Sequence, residues 1–84
     1  MANYYEDRFE KIVRQKKTYA EETFKAMYTE EEQESKQKIL DEICYQIEVC
    51  EGFCRPVTEN EIKEWLRSDN VEQVLRKARS HKAA

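Results

Sequence analysis

Residues 29–38 read Thr-Glu-Glu-Glu-Gln-Glu-Ser-Lys-Gln-Lys, and this stretch decides how the first half of the chain is arranged. Thr29 and Glu32 have the spacing of a capping box, in which a threonine caps a helix and a glutamate three positions on bonds back to it. Acidic side chains in the first turn also match the positive end of the helix dipole. The stretch contains no apolar side chain, so a hydrophobic seam cannot run through it. We therefore predict that one helix ends before Thr29 and that a second begins directly after it.

Apolar side chains lie at helical spacing on both sides of this stretch. Upstream, residues 4–28 contain nothing that breaks a helix, and their apolar positions are Tyr5, Phe9, Ile12, Val13, Tyr19, Ala20, Phe24 and Met27. Downstream, an apolar seam follows a spacing of three and four and comprises Leu40, Ile43, Ile47, Cys50 and Cys54. We predict helices over residues 4–28 and 30–51, folded back on each other as a long antiparallel hairpin. The alternative is one continuous rod over residues 4–51, about 70 Å long at about 1.5 Å per residue.

The second helix is predicted to end near Glu51, because Gly52 and Pro56 follow it. Glycine is the residue that most readily takes the left-handed conformation after a helix, and we expect Gly52 to do so. Proline cannot continue a helix. Gly52 is also the single glycine of the chain, so no Gly-rich loop is available to bind phosphate. Nucleotide chemistry of the P-loop or Rossmann type is thereby excluded.

A second capping box opens the last third of the chain, in the segment Val57-Thr58-Glu59-Asn60-Glu61-Ile62. Thr58 caps, Glu61 completes the box, and Val57 can pack against Ile62 as a hydrophobic staple. We predict a helix over 59–67 and, after the turn residues Ser68-Asp69-Asn70, a fourth over 71–80 followed by a frayed tail at 81–84. The predicted fold class is all-α: a long antiparallel helical hairpin followed by two short helices packed as a small helical bundle, in one domain over residues 1–84.

The composition is that of a solvated helical domain. Charged residues make up 39% of the 84 residues, and the formal net charge is only −3. Residues 1–54 hold eight Lys/Arg and thirteen Asp/Glu, whereas residues 55–84 hold seven and five, so only the last third is mildly basic. No apolar run approaches the roughly 18 residues of a membrane span, and the N-terminus lacks the features of a signal peptide. We expect a cytoplasmic protein that does not contact a membrane.

Three cysteines, Cys44, Cys50 and Cys54, are weak candidates for a metal site. Their spacing matches neither the zinc-ribbon pattern nor the usual iron–sulfur runs, and His81 or a carboxylate would have to supply a fourth ligand. The favoured interpretation is that they are small apolar residues of the seam, so we predict no metal and no cofactor. A zinc-stapled fold and a Cys50–Cys54 disulfide are the minor alternatives. The odd number of cysteines is also untypical of a secreted disulfide framework.

No arrangement of residues in the sequence indicates catalysis. His81 is the single histidine, and basic residues surround it in the predicted tail, so we expect a solvated side chain without a catalytic partner. The carboxylates occur at helix starts or four positions from a basic residue, which is the pattern of solvated helix surfaces. We therefore expect that the protein is not an enzyme.

The first functional hypothesis is a small protein-interaction or regulatory module, an adaptor or inhibitor that binds a protein partner through its helical faces. Nine of the 84 residues are aromatic, and five of them are tyrosine. This is more than the narrow apolar faces of four helices need to form a core, and exposed tyrosine is favoured at protein interfaces. The predicted interface residues are Tyr28, Leu40, Ile43, Tyr45, Ile47 and Phe53. Because so short a chain buries a small core, we also expect a homodimer. Proteins of this size and composition are common among bacterial, phage and mobile-element regulators, which is an argument from class alone.

The alternative hypothesis is a nucleic-acid-binding transcriptional regulator. The two predicted short helices, within residues 58–82, have the dimensions of a helix-turn-helix. The cationic candidates for phosphate contact are Arg76, Lys77, Arg79 and Lys82. These cations lie at the C-terminal end of the second helix, whereas base-reading side chains normally lie at its N-terminal end. This hypothesis therefore ranks second.

Overall fold

A computed structural model describes the backbone of residues 4–83 and the side chains of residues 8–83. This region forms four helices and no strand: α1 (Tyr4–Met27), α2 (Glu30–Gly52), α3 (Glu59–Leu66) and α4 (Val71–Ala83). α1 and α2 pack as an antiparallel hairpin, and α3 and α4 pack onto it. The predicted fold class is therefore confirmed, and the continuous rod is wrong. The predicted apolar position Tyr5 and the tail residue Ala84 lie outside the described side chains.

The break between α1 and α2 consists of Tyr28 and Thr29. The Thr29 Oγ1 accepts a hydrogen bond from the Glu32 N–H at 3.3 Å, and the Glu32 Oε1 accepts one from the Thr29 N–H at 2.9 Å. The predicted capping box is thus present. At the other end of the hairpin, the Lys16 Nζ lies 2.8 Å from the Glu51 Oε1 and holds α1 against the end of α2.

The end of α2 differs from the prediction. The helix continues through Gly52, and the residue with positive φ is Cys54, at 58°. The Cys54 N–H donates to the Glu51 carbonyl at 3.1 Å and the Arg55 N–H donates to the Cys50 carbonyl at 2.9 Å, which is the hydrogen-bond pair of a Schellman motif. These two bonds, rather than the position of the glycine, determine which residue takes the left-handed conformation.

The predicted starts of α3 and α4 are present as well. The Thr58 Oγ1 accepts from the Glu61 N–H at 3.2 Å, and the Glu61 Oε1 accepts from the Thr58 N–H at 2.9 Å. Asn70 caps α4, because its Oδ1 accepts from the Gln73 N–H at 2.9 Å. The frayed tail predicted for 81–84 is wrong over the described residues, since α4 is helical as far as Ala83. Side chains near this end bond to other elements, and those contacts keep the last turn helical.

All four helices contribute to one hydrophobic core. α2 lies at its centre and contacts α1, α3 and α4, while α1 and α4 do not contact each other among the described residues. Val57 and Ile62 are both buried, as the predicted staple requires. The buried core residues are Ala20, Phe24, Ile39, Leu40, Ile43, Ile47, Cys50, Val57, Ile62, Trp65, Leu66, Val74 and Ala78. None of the helices in the described region has the length and apolar character that crossing a bilayer requires.

Candidate functional site

The side of α2 that faces away from the other helices carries two exposed aromatic side chains. Tyr45 is 58% exposed and Phe53, the C-cap residue, is 68% exposed. Val49 is half-buried and lies four positions from each, so the three residues follow one side of the helix. We call Tyr45, Val49 and Phe53 the α2 stripe. Its two aromatic ends are about 12 Å apart along the helix axis, at about 1.5 Å per residue.

The charges beside the α2 stripe are mainly acidic. Asp41 and Glu48 are exposed and Glu42 is half-buried, against the single base Lys38 on the same side of the helix. Glu48 also faces α1, where its Oε2 lies 3.5 Å from the Lys17 Nζ. An apolar stripe with an acidic border is complementary to a surface that has basic residues around an apolar patch.

An open groove of about 450 Å³ lies between α1 and α2 next to this side. Its apolar lining comes from Phe9 and Val13 on α1, and its remaining lining residues are Glu10, Arg14, Lys17, Thr18, Glu21 and Glu48. Glu48 belongs both to the groove and to the border of the α2 stripe. The groove therefore adjoins the acidic border of the α2 stripe at Glu48.

Most of the residues predicted to form an interface lie elsewhere. Leu40, Ile43 and Ile47 are at most 6% exposed, because α1, α3 and α4 cover this seam within the chain itself. Tyr28 is half-buried, and its hydroxyl donates to the Leu66 carbonyl at 2.7 Å. The structure thus leaves two of the six predicted residues on the surface.

Those two residues are Tyr45 and Phe53, whereas Val49, the third member of the stripe, is not among the predicted interface residues. Val49 is separated by four positions from each of them, and this i,i+4 relation is visible in the sequence. The stronger apolar seam lies on the opposite side of α2, and the chain uses it for its own core.

The structure does not bring the three cysteines together. Cys44 is half-buried, Cys50 lies in the core and Cys54 is exposed in the loop, all as free thiols. Burial, with the charge of Glu21 adding to it, raises the pKa of Cys44 to about 11, and burial also raises the pKa of Cys50. Within residues 8–83, no three His, Cys, Asp or Glu side chains are grouped as metal ligands. His81, the suggested fourth ligand, is bonded elsewhere.

His81 lies between α4, α3 and the loop after α2. Its Nδ1 is 2.7 Å from the Glu61 Oε2, its Nε2 is 2.8 Å from the Arg55 carbonyl oxygen, and its ring packs edge-on against Trp65 with centroids 5.9 Å apart. The side chain is 17% exposed, so the prediction of a solvated histidine is wrong. His81 lies in the extra turn of α4, and this turn places the ring beside its partners. The local sequence does not indicate that these contacts form.

Glu61 is held as a carboxylate at the start of α3. Burial by itself raises the pKa of Glu61, but hydrogen bonds from the Thr58 N–H and hydroxyl, together with the charge of His81, lower it further than burial raises it. The net pKa lies below the ordinary value of 4.5. Glu61 is therefore an ionised acceptor for His81 at neutral pH.

Two of the four cations predicted to contact phosphate are engaged within the chain. The Lys77 Nζ donates to the Glu64 carbonyl at 3.2 Å and to the buried Ser68 Oγ at 3.0 Å, closing the end of α3. The Lys82 Nζ donates to the Gln46 Oε1 on α2 at 3.3 Å. The other two, Arg76 and Arg79, are exposed on α4. The basic surface of α4 is therefore smaller than its composition implies.

Comparisons of the chain with protein-family models, with curated proteins and with solved structures gave no match. The candidate site is accordingly defined by the residues, distances and exposures of this chain. Among the described residues, Tyr45 and Phe53 of the α2 stripe are the most exposed large hydrophobic side chains.

Proposed function

We propose that the chain is a small protein-binding module that docks a partner on the outer side of α2, with Tyr45 and Phe53 as anchors. The observation that carries the proposal is that these two aromatic side chains are 58% and 68% exposed although the core is complete without them. Aromatic residues dominate the binding energy of many interfaces, because they bury a large area at a small entropy cost.

The geometry of the α2 stripe favours a helical partner. Residues at i, i+4 and i+8 form a ridge, and ridges of this kind pack into the grooves of a second helix. The acidic border formed by Asp41, Glu42 and Glu48 favours basic residues on that helix, beside its apolar side. The partner we expect is therefore an amphipathic helix of another protein, apolar along one side and flanked by Lys or Arg.

Photo-crosslinking tests where the partner binds. A benzophenone amino acid is placed at position 45, at position 53 or, as the control, at the exposed position 80 on α4. We expect one protein to be crosslinked from positions 45 and 53 but not from position 80, with or without nuclease treatment. Crosslinking that is equal at all three positions, or confined to position 80, contradicts the proposal.

Substitution of the anchors then measures their contribution. We expect Tyr45→Ala and Phe53→Ala each to weaken binding of the purified partner by about 30-fold, the effect of losing a hot spot of about 2 kcal/mol. The matched control is Lys25→Ala on the exposed part of α1, which should bind like the wild type. Since all three side chains are exposed, the thermal unfolding of the variants should match the wild type. Unchanged affinity in both alanine variants would show that the stripe is not the binding surface.

A homodimer and a nucleic-acid complex are the competing outcomes. Sedimentation equilibrium that gives a dimer, lost in the double variant Tyr45→Ala/Phe53→Ala, would replace the partner with a second copy of the chain. Binding to mixed DNA or RNA that falls steeply with salt and is lost in Arg76→Ala/Arg79→Ala would favour the regulator hypothesis instead, because released counterions drive such binding.

A further inference from the structure

His81 connects three elements of the fold through its two ring nitrogens. The Nδ1 faces the Glu61 carboxylate in the first turn of α3 at 2.7 Å, and the Nε2 faces the Arg55 carbonyl in the loop between α2 and α3 at 2.8 Å. Both partners are acceptors. A neutral imidazole has one N–H, whereas a protonated imidazole has two, so only the protonated ring can donate to both partners.

We propose that His81 is a protonation-dependent clasp that holds the end of α4 on α3 and on the loop 53–58. With the ring protonated, both hydrogen bonds form and all three elements are joined. When the ring loses its proton, it can donate to only one of the two acceptors, so one of the two hydrogen bonds is lost. This corner of the fold then loosens while the rest of the core is unchanged.

The ring of His81 is bonded to one charged group and to one backbone carbonyl. Glu61 on α3 is bonded to the ring, and the loop contributes the Arg55 carbonyl. The other titratable groups at this corner are Lys82, which follows His81 in α4, Cys50 and Glu51 on α2, and Lys16 on α1, which pairs with Glu51. Cys50 is a neutral thiol because burial raises its pKa. Lys82 directs its ammonium group to Gln46 on α2 rather than to the ring. The charged group that bonds directly to the ring is therefore the Glu61 carboxylate.

The direction of the pH effect follows from these contacts. The folded chain offers the charged ring two acceptors that the unfolded chain does not hold in place, so proton binding and folding favour each other. The stabilisation is complete while His81 is protonated and is lost as the pH rises and the proton leaves. Glu61 stays ionised throughout this change, because its pKa is below the ordinary value of 4.5.

The clasp also bears on the α2 stripe. Arg55 is two residues from Phe53, so loosening the loop would change how one anchor is presented. Only this consequence rests on the proposed function. The clasp is tested without a partner, and its test is independent of whether the stripe binds a protein.

Trp65 fluorescence can report on His81 without interference, because His81 is the single histidine of the chain and Trp65 its single tryptophan. The measurements are Trp65 emission, which a protonated imidazole quenches more than a neutral one, and urea unfolding, both between about pH 5.5 and 8, where histidine titrates. In the wild type we expect one step in emission and a rise of about tenfold in the unfolding equilibrium constant at the higher pH, since bonds to charged groups contribute about 1.5 kcal/mol or more.

The controls separate the clasp from general effects of pH. His81→Gln, which cannot titrate, should lose both the emission step and the change in unfolding, and the surface variant Ser80→Ala should keep both. If His81→Gln does not fold, the ¹⁵N spectrum of the wild-type ring decides, because the clasp requires a doubly protonated ring bonded at both nitrogens at pH 5.5. Emission and unfolding that are flat over this range in the wild type, or a neutral ring at pH 5.5, would overturn the proposal.

Discussion

Cys54 has the left-handed conformation that glycine most readily takes after a helix, with φ of 58°. This conformation costs a residue with a Cβ atom about 1 kcal/mol or more. Gly52 lies two positions earlier, within α2, where glycine weakens the helix and where an added Cβ would meet nothing within 4 Å. Each of these two residues therefore occupies a position that suits the other residue type better.

Two substitutions are therefore expected to stabilise the protein. Cys54→Gly and Gly52→Ala should each raise the free energy of unfolding by about 0.5–1 kcal/mol, the first by relieving the backbone and the second by favouring the helix. Urea unfolding followed by circular dichroism measures both. Cys54→Ser keeps the Cβ atom and should leave the stability near that of the wild type. A loss of stability in Cys54→Gly but not in Cys54→Ser would mean that the glycine makes the turn too flexible.

The three thiols are expected to react at different rates. Cys54 is exposed and should be modified first by a thiol-specific reagent at pH 8. Cys44 should react slowly, because burial and Glu21 raise its pKa to about 11, and Cys50 should react only when the core opens. Mass spectrometry of the native protein, compared with protein in urea, identifies the order. Modification of Cys50 as rapid as that of Cys54 would contradict the burial of α2.

The starts of the helices were predictable and their ends were not. A capping box is formed by residues three positions apart, so the local sequence around Thr29 and Thr58 is sufficient to predict where α2 and α3 begin. The ends of α2 and α4 depend on other contacts: a left-handed residue held by two backbone bonds, and His81 held by distant partners. Helical periodicity contains no information about either.

α3 is eight residues long, so it depends strongly on its cap. We expect Thr58→Ala to lower the free energy of unfolding by about 1 kcal/mol, because it leaves the Glu61 N–H without its acceptor. Thr58→Ser, which keeps the hydroxyl, should restore most of the loss. Thermal and urea unfolding of the three proteins provide the comparison. Equal stability of Thr58→Ala and the wild type would show that the core alone holds α3 in place.

At the scale of the whole molecule, the sequence was sufficient to predict the hairpin but not which side of α2 is free. Leu40, Ile43 and Ile47 form the stronger apolar pattern, and a pattern of this kind looks the same whether the chain or a partner covers it. Three helices cover it here. The opposite side, with Tyr45 and Phe53, is open only because no further helix packs there in the described region. Which side of α2 stays open therefore depends on how the four helices pack together, and not on the sequence of α2 alone.

The carboxylates of both capping boxes make the stability of the fold sensitive to acid. Hydrogen bonds from Thr29 lower the pKa of Glu32. Burial raises the pKa of Glu61, but Thr58 and His81 lower it by more. A carboxylate whose folded-state pKa is below its ordinary value contributes stability above that value, and the contribution is lost as the pH falls through the folded-state pKa. We expect the stability to decline as the pH falls below about 4.5, the ordinary value for glutamate.

Urea unfolding between about pH 2.5 and 6 measures this decline. Glu32→Gln and Glu61→Gln should each be less stable than the wild type at pH 6 and should lose less stability on acidification. Glu59→Gln, in the same turn of α3, is the matched control and should follow the wild type. If all three variants show the wild-type slope, the decline comes from the general charge of the protein and not from the caps.

Since α1 and α4 do not meet among the described residues, a change in the part of α1 outside the shared core does not act directly on α4. Val13 is buried on α1 outside the main core cluster, whereas Ala78 lies within that cluster on α4. The effects of Val13→Ala and Ala78→Gly should consequently add to within about 0.5 kcal/mol in the double mutant. In evolutionary terms, positions 13 and 78 can therefore change without compensating for each other, as long as each stays compatible with the helices that it contacts.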